Sequence, residues 1–160
     1  MNRAYLLIGG NMGDRKGFLA TACAKIEMAC GKLLQQSSLY ETAAWGKEDQ
    51  GAFLNQALEL ETPLDAHTLL DELLQIEKTI GRIREVKYGP RTIDIDILFF
   101  NSAVVHEDHL TIPHPQVQNR RFALEPLNEI APDYIHPVLQ KNISQLLAEC
   151  PDKLDVHKIS

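Results

Sequence analysis

Two aspartates that stand two positions apart, Asp94 and Asp96, are the residues of this sequence best suited to chemistry. They lie in the stretch YGPRTIDIDILFF, where a Gly-Pro pair predicts a turn and the β-branched and aromatic residues after it predict a strand. Successive side chains of a strand point to opposite faces, so the aspartates share one face and Ile93, Ile95 and Ile97 share the other. The sequence therefore predicts a core strand that begins with a pair of carboxylates.

A pair of carboxylates is costly unless cations or water surround it. At a separation of about 5 Å and an effective dielectric near 20, the two charges repel by roughly 3 kcal/mol. Mg²⁺ offsets this repulsion, because it prefers oxygen ligands and is often shared with substrate phosphates, and two such ions can hold a phosphoryl group during transfer. Four basic residues precede the pair: Arg82, Arg84, Lys87 and Arg91. Metal combined with arginine is typical of a polyphosphate site, and the alternative is an acidic strand end solvated by water.

Length, charge and cysteine usage restrict the class of protein. A chain of 160 residues can form one domain with a substantial core, so we expect a single domain over 1–160. The net charge of −6 argues against nucleic-acid binding, which needs a broad basic surface. Cys23, Cys30 and Cys150 are odd in number and lack metal-ligand spacing, and no apolar run is long enough to cross a bilayer. We therefore expect a cytoplasmic protein with no membrane partner.

The first half of the chain alternates between strand and helix patterns. An apolar run at 4–8 ends in the glycine turn GGNMG, and Asp14 can cap a helix that extends to about residue 30. The turn lacks the spacing of a nucleotide-binding glycine loop, so we expect it to be structural. Strands are predicted at 32–42 and 53–61, followed by a helix at 66–80 that Gly81 is expected to end.

With the aspartate strand added, the order is strand, helix, strand, strand, helix, strand. This β-α-β-β-α-β order is typical of the ferredoxin-like α+β fold, in which both helices cover one face of an antiparallel sheet. Beyond this core the sequence predicts an extra C-terminal hairpin at 101–111 and short helices at 123–130 and 143–149.

Several motifs occur in an order that resembles one known family. They are GGNMG at 9–13, FLN at 53–55, GRIR at 81–84, GPRTIDID at 89–96, PH at 113–114 and NRRF at 119–122. Over about residues 3–135 the sequence resembles 6-hydroxymethyl-7,8-dihydropterin pyrophosphokinase (HPPK) of folate biosynthesis. The GPRTxDxD block is the most specific part of this resemblance, and the fold of that family is ferredoxin-like.

The resemblance implies an activity and its ligands. Enzymes of this family, 2-amino-4-hydroxy-6-hydroxymethyldihydropteridine diphosphokinases, transfer the pyrophosphoryl group of ATP to the hydroxymethyl oxygen of 6-hydroxymethyl-7,8-dihydropterin and release AMP. ATP is then the co-substrate and two Mg²⁺ ions are the cofactors. We expect a monomer that binds small molecules and no nucleic acid.

The resemblance also assigns roles to individual residues around ATP. Asp94 and Asp96 match the two metal ligands of the family. Arg82 and Arg91 match catalytic residues that handle the triphosphate and its developing charge. The matched ATP contacts are Arg84, Ile97, Thr111, His114 and Arg120.

For the pterin, the resemblance assigns two aromatic residues and one amide. Phe53 and Phe122 match the pair that sandwiches the flat ring, and Asn55 matches the side chain that hydrogen-bonds its edge. A flat heterocycle gains buried area and stacking from two aromatic rings, and Phe53 and Asn55 share a strand face as this requires. Backbone groups near three further residues complete the implied site: Thr42, Ala44 and Trp45.

The sequence departs from the family pattern at Tyr88, at Ala43-Ala44, at Leu74 and at His109, and two other functions stay open. Leu74 and His109 replace residues that are common near the adenine and the ribose, which affects details of ATP contact. One alternative function is a metal-dependent phosphohydrolase, which would cleave ATP without a pterin. The other is a non-catalytic ferredoxin-like module that senses a nucleotide.

Overall fold

The computed structural model describes residues 1–42, 52–83 and 93–159, except the side chains of residues 82 and 83. The strands are β1 (Asn2–Gly10), β2 (Lys32–Gln36), β3 (Tyr40–Thr42), β4 (Phe53–Thr62), β5 (Asp94–Phe100), β6 (Val105–Glu107), β7 (Leu110–Ile112) and β8 (Val156–Lys158). The helices are α1 (Arg15–Ala29), α2 (Ala66–Ile83), α3 (Arg121–Ile130) and α4 (Ile143–Glu149), with a 3-10 turn at Val117–Asn119.

The main sheet has the strand order β5-β1-β4-β3-β8, and each neighbouring pair is antiparallel. Strand β2 pairs with the other half of β4, beside β3. When β2 and β3 are counted as one strand, the first four strands across the sheet are β5, β1, β4 and the combined β2/β3. This is the ferredoxin-like order, which confirms the predicted fold class. Strands β6 and β7 form the predicted hairpin as a separate two-stranded sheet.

The two faces of the sheet bury different helices. Alternate residues of β1 divide between them, with Ala4, Leu6 and Ile8 packed among residues of α1 and α2. Tyr5 and Leu7 pack on the opposite face among residues of α3 and α4. Ile95 and Ile97 of β5, and Ile93 just before it, join the α1 and α2 core, as the alternation predicts. The face that carries α3 and α4 is therefore the one that the aspartates share.

The predicted strand at 32–42 is broken into β2 and β3 by Ser37. Its backbone N–H donates to the carbonyl of Ala57 at 2.9 Å, while its hydroxyl oxygen accepts the N–H of Ala57 at 2.9 Å. The side chain of Gln56 donates to the carbonyl of Ser37 at 2.8 Å. A serine side chain thus replaces a backbone carbonyl in the ladder and interrupts the strand.

Helix boundaries follow local signals in part. Asp14 caps α1 as predicted, because its carboxylate accepts the N–H of Gly17 at 3.1 Å. The prediction that Gly81 ends α2 is wrong, since the helix continues to Ile83. A side chain at Gly81 would meet no atom of the described residues within 4 Å. Strand β8 was not predicted. No helix among the described residues has the length and apolar character needed to cross a membrane.

Candidate active site

The sheet register brings the predicted site residues of three strands onto one face. Gly9 of β1 lies between Asp94 of β5 and Asn55 of β4, and Asn55 in turn pairs with Tyr40 of β3. Residues that pair across neighbouring strands point to the same face, so these side chains form a row. The next row contains Asp96, paired through Leu7 to β4. The row thus places one aspartate and the asparagine on opposite sides of a glycine.

Gly9 is required at its position by close approach of Asn55. A Cβ at Gly9 would lie 2.1 Å from the Oδ1 atom of Asn55 and 3.0 Å from the backbone oxygen of Leu54. The Asn55 amide therefore lies over the backbone of Gly9. The missing side chain at Gly9 makes room for the Asn55 amide.

The two aspartates are half-buried and have Ile95 between them on the opposite face. The N–H of Ile95 donates to Oε2 of Glu77 on α2 at 2.6 Å. A carboxylate from a helix therefore holds the first residues of β5 in place. The sequence left the role of Glu77 open, since a contact 18 residues away along the chain cannot be read from its spacing.

His114 reaches the edge of β5 through a bulge in that strand. Tyr5 pairs with Phe99 and Leu6 with Ile97, so Leu98 is the extra residue, and its carbonyl accepts the N–H of His114 at 2.9 Å. Beyond β7 the Ile112-Pro113 peptide bond is cis, and His114 follows it directly.

The imidazole of His114 is neutral. Burial, with a smaller contribution from the positive charge of Arg120, lowers the pKa of His114 to about 4. Its Nδ1 atom accepts the N–H of Gln116 at 3.1 Å, so in the neutral ring the proton is on Nε2. Nε2 is then a hydrogen-bond donor suited to an anionic oxygen.

Arg120 and Phe122 flank the first residue of α3. The guanidinium carbon of Arg120 lies 5.7 Å from the ring centroid of Phe122, within the range of a cation–π interaction. Phe122 is partly buried against the cluster that contains Leu7 and Ala57. Both residues therefore belong to the face of the sheet that carries the aspartates.

The candidate site on this face has two sides. The start of α3 with Phe122 forms one, here called the α3 wall. The end of β3 with the start of β4 forms the other, here called the β3 wall. Thr42 pairs with Phe53, and both lie on the face of Asn55. The hydroxyl oxygen of Thr42 is buried and has no hydrogen-bond partner within the described ranges 1–42, 52–83 and 93–159. Tyr40, which the sequence did not single out, donates its hydroxyl to Glu129 of α3 at 2.6 Å.

The remaining predicted site residues have other placements. The Ile97 side chain is buried in the opposite core, among residues of α1 and α2, so only its backbone is on the strand edge. Thr111 lies half-buried on β7. Arg82 lies in the last turn of α2, although its side chain is outside the described part of the structure. Four predicted residues lie outside the described residues altogether: Ala44, Trp45, Arg84 and Arg91.

The donor set of the aspartate pair is all oxygen. Within the described residues, no group of three or more His, Cys, Asp or Glu side chains is arranged to hold a metal ion. Carboxylate oxygens are the ligands that a hard ion prefers, so Asp94 and Asp96 fit such an ion, which would take other ligands from water and substrate.

The fold and this face together define a class of protein: a ferredoxin-like α+β domain that places an aspartate pair and an asparagine on one face of its sheet. Comparison with known sequences gives the family. The profile of the 7,8-dihydro-6-hydroxymethylpterin-pyrophosphokinase (HPPK) family matches residues 5–132, and the chain belongs to that family.

Individual relatives agree with this assignment. The chain is 44% identical over 136 residues to 2-amino-4-hydroxy-6-hydroxymethyldihydropteridine pyrophosphokinase of Methylorubrum extorquens, covering 84% of this chain and 86% of the relative. It is 40% identical over 149 residues to the protein of the same name from Aquifex aeolicus, covering 93% and 92%. Among solved structures, wild-type Plasmodium falciparum HPPK-DHPS superimposes with a TM-score of 0.76 at 22% identity. That match covers 92% of this chain and 43% of the solved chain, and it supports the fold alone.

Proposed function

We propose that this chain transfers the pyrophosphoryl group of ATP to the hydroxymethyl oxygen of 6-hydroxymethyl-7,8-dihydropterin, a step of folate biosynthesis. The observation that carries the proposal is the row across the sheet, in which Gly9 separates the Asp94 carboxylate from the Asn55 amide. An anion-handling side and an amide that can read a heterocycle lie next to each other there. Membership of the HPPK family indicates the reaction that would use both groups, pyrophosphoryl transfer to a pterin.

The aspartate side of the row binds the nucleotide. Asp94 and Asp96 would hold two Mg²⁺ ions, which neutralise the charge of the β and γ phosphates when bound. The Nε2–H of His114 donates to a phosphate oxygen, and Arg120 adds positive charge beside it. Arg82 and Arg91 stabilise the charge that develops on the triphosphate, and three residues complete the ATP site: Arg84, Ile97 through its backbone, and Thr111.

The asparagine side of the row binds the pterin. Phe53 and Phe122 stack on the two faces of the ring, and the Asn55 amide bonds its edge with one donor and one acceptor. The buried hydroxyl of Thr42, without a partner among the described residues, is a further group that the pterin can satisfy. Backbone groups of Ala44 and Trp45 complete this half.

Transfer then needs positioning more than covalent chemistry by the protein. The hydroxymethyl oxygen forms a bond to the β-phosphorus as the bond from that phosphorus to the α,β-bridging oxygen breaks. AMP leaves, the pterin keeps both phosphoryl groups, and the hydroxyl proton passes to solvent. Holding the two reactants on one rigid sheet lowers the barrier by orientation and by charge stabilisation.

We also propose that residues 1–160 act as one domain and as a monomer. Both apolar clusters lie on the two faces of a single sheet, which supports one cooperative unit.

The test is a product analysis by mass spectrometry with ATP, Mg²⁺ and the pterin together. The expected products are AMP and the pterin pyrophosphate in equal amounts. ADP or phosphate formed equally well without pterin would indicate a phosphohydrolase instead. Nucleotide binding with no product at all would indicate a non-catalytic module.

A further inference from the structure

The C-terminal residues 152–159, here called the clasp, connect the two walls of the proposed pterin site. Strand β8 within it pairs antiparallel with β3, and Val156 lies opposite Thr42. The N–H of Ile159 donates to the carbonyl of Leu39 at 2.9 Å. The clasp lies outside residues 5–132 that the family profile covers.

The other end of the clasp holds the first turn of α3 through Asp152. The buried Asp152 carboxylate accepts the N–H of Arg121 at 3.1 Å through Oδ2 and the N–H of Leu154 at 3.0 Å through Oδ1. The Arg121 side chain donates from Nε to the Asp152 carbonyl at 2.9 Å. Two independent bonds thus join Asp152 to the first residue of the helix.

Helix α3 depends on this external cap. The residue at its own capping position, Arg120, forms no side-chain capping bond. The N-terminal turn of a helix carries exposed N–H groups and a positive partial charge, so a carboxylate placed there is favourable. Asp152 therefore does from a distant segment what a local Ser, Thr, Asn or Asp usually does.

A proline inside α3 makes the first turn weaker still. Pro126 has no N–H to donate to the carbonyl of Phe122, four residues earlier. The turn that carries Phe122 therefore lacks one of the intrahelical bonds that would otherwise fix it. Its position relies more on contacts from outside the helix.

The same clasp thus fixes Phe122 on one wall, through Asp152, and Thr42 on the other, through β8. We propose that Asp152 is a positioning residue for the pterin, which sets the distance between the α3 wall and the β3 wall without touching the substrate. This inference rests on the proposed function, because it concerns the pterin half of that site. The expected consequence of loosening the clasp is a weaker pterin interaction, while the aspartate half of the site on β5 stays in place.

The test is steady-state kinetics of AMP formation, with pterin and ATP varied separately. Asp152→Ala should raise the pterin KM about tenfold, which corresponds to about 1.4 kcal/mol, with the ATP KM and kcat each changed by less than about threefold. Asp152→Asn keeps one acceptor oxygen and should fall between Asp152→Ala and the wild type. A chain shortened to end at Asp155 removes β8 and should raise the pterin KM about threefold.

The matched control is Asp155→Ala, in the same segment. Asp155 is exposed and makes no hydrogen bond or ion pair with the described part of the chain. The kinetic constants of the Asp155→Ala variant should therefore equal those of the wild type. A general loss of folded protein in Asp152→Ala would lower kcat and leave both KM values unchanged, which overturns the proposal. If Asp152→Ala does not fold, Asp152→Asn decides, and an unchanged pterin KM in it also overturns the proposal.

Failure of the clasp and failure of the proposed function give different results. If the wild type forms no AMP from ATP and the pterin, the proposed function is wrong and the pterin role falls with it. If the wild type forms AMP and Asp152→Ala has a normal pterin KM, only the clasp is wrong. Amide hydrogen exchange adds a readout without substrate: residues 121–124 should exchange at least tenfold faster in Asp152→Ala and at the normal rate in Asp155→Ala.

Discussion

Substituting Gly9 by alanine tests whether the position of the Asn55 amide over Gly9 is needed for the pterin. The added Cβ would lie 2.1 Å from Oδ1 of Asn55 and 3.0 Å from the backbone oxygen of Leu54. A separation of 2.1 Å cannot be kept, and the Leu54 backbone is fixed in β4, so the Asn55 amide must rotate away. The Asp94 and Asp96 carboxylates belong to the neighbouring strand and should stay in place.

The size of the effect follows from the bonds that Asn55 would lose. Its amide offers one donor and one acceptor to the ring edge, and a neutral hydrogen bond contributes about 0.5–1.5 kcal/mol. Loss of both weakens pterin binding by about 1–3 kcal/mol, which raises the pterin KM roughly 5- to 150-fold. The free energy of unfolding should fall by about 1–3 kcal/mol from overpacking, and kcat at saturating pterin should change much less.

The assay is the pterin KM at saturating ATP in the wild type, Gly9→Ala, Asn55→Ala and the double variant. In the Asn55→Ala background the closest contact is gone, so Gly9→Ala should then change the pterin KM by only about twofold. An equal fold-change in both backgrounds would refute the role of that contact. Gly81→Ala is the stability control: its Cβ meets no atom of the described residues within 4 Å, and it should raise the free energy of unfolding by about 1 kcal/mol.

Three further predictions concern the aspartate half of the site. Asp96→Asn should abolish the tightening of a non-hydrolysable ATP analogue by Mg²⁺ and lower kcat at least 100-fold, and unchanged Mg²⁺ dependence in calorimetry would contradict the metal role. Glu77→Ala leaves the Ile95 N–H without its charged acceptor and should lower the free energy of unfolding in urea by about 1.5–3 kcal/mol, whereas Glu77→Gln should cost less; equal losses would disprove the acceptor role. Because burial and Arg120 lower the pKa of His114 to about 4, the unfolded chain binds more protons between pH 6.5 and 4, so stability falls with falling pH across that window. His114→Asn should reduce that loss in urea titrations at pH 7 and pH 4.5, and an identical pH dependence in the two proteins would contradict the lowered pKa.

Local patterns in the sequence predicted the fold. They also predicted which side chains of β5, the strand that carries the aspartate pair, point to each face of the sheet. The alternation around Ile95 placed isoleucines in one core and aspartates on the other face, because a strand has a side-chain period of two residues. Asp14 was predicted as a cap because a cap acts within three residues. The roles of Arg82 and Arg91 come from the family resemblance and stay predictions.

Interactions between distant parts of the chain could not be predicted in the same way. The Glu77 bond to Ile95 spans 18 residues and the Asp152 bond to Arg121 spans 31, and neither leaves a periodic signal. Ser37 interrupts a strand because its hydroxyl oxygen, in place of a backbone carbonyl oxygen, accepts the N–H of Ala57. This bond depends on the register of β4. The need for glycine at position 9 likewise appears only once β1, β4 and β5 are aligned.

Before its bulge at Leu98, strand β5 separates stability from activity by alternation of its residues. Odd positions such as Ile95 lie in the core of α1 and α2, and truncating such a residue to alanine costs about 2–5 kcal/mol of stability. Even positions hold the half-buried aspartates, whose like charges at close range are an intrinsic cost to the folded state. The Glu77 carboxylate on α2 accepts the backbone N–H of Ile95, which lies between the two aspartates. It therefore fixes the directions of the Asp94 and Asp96 side chains without lying on their face of the sheet. The proposed cation site needs such rigidity, because a more flexible strand would let the two carboxylates move apart.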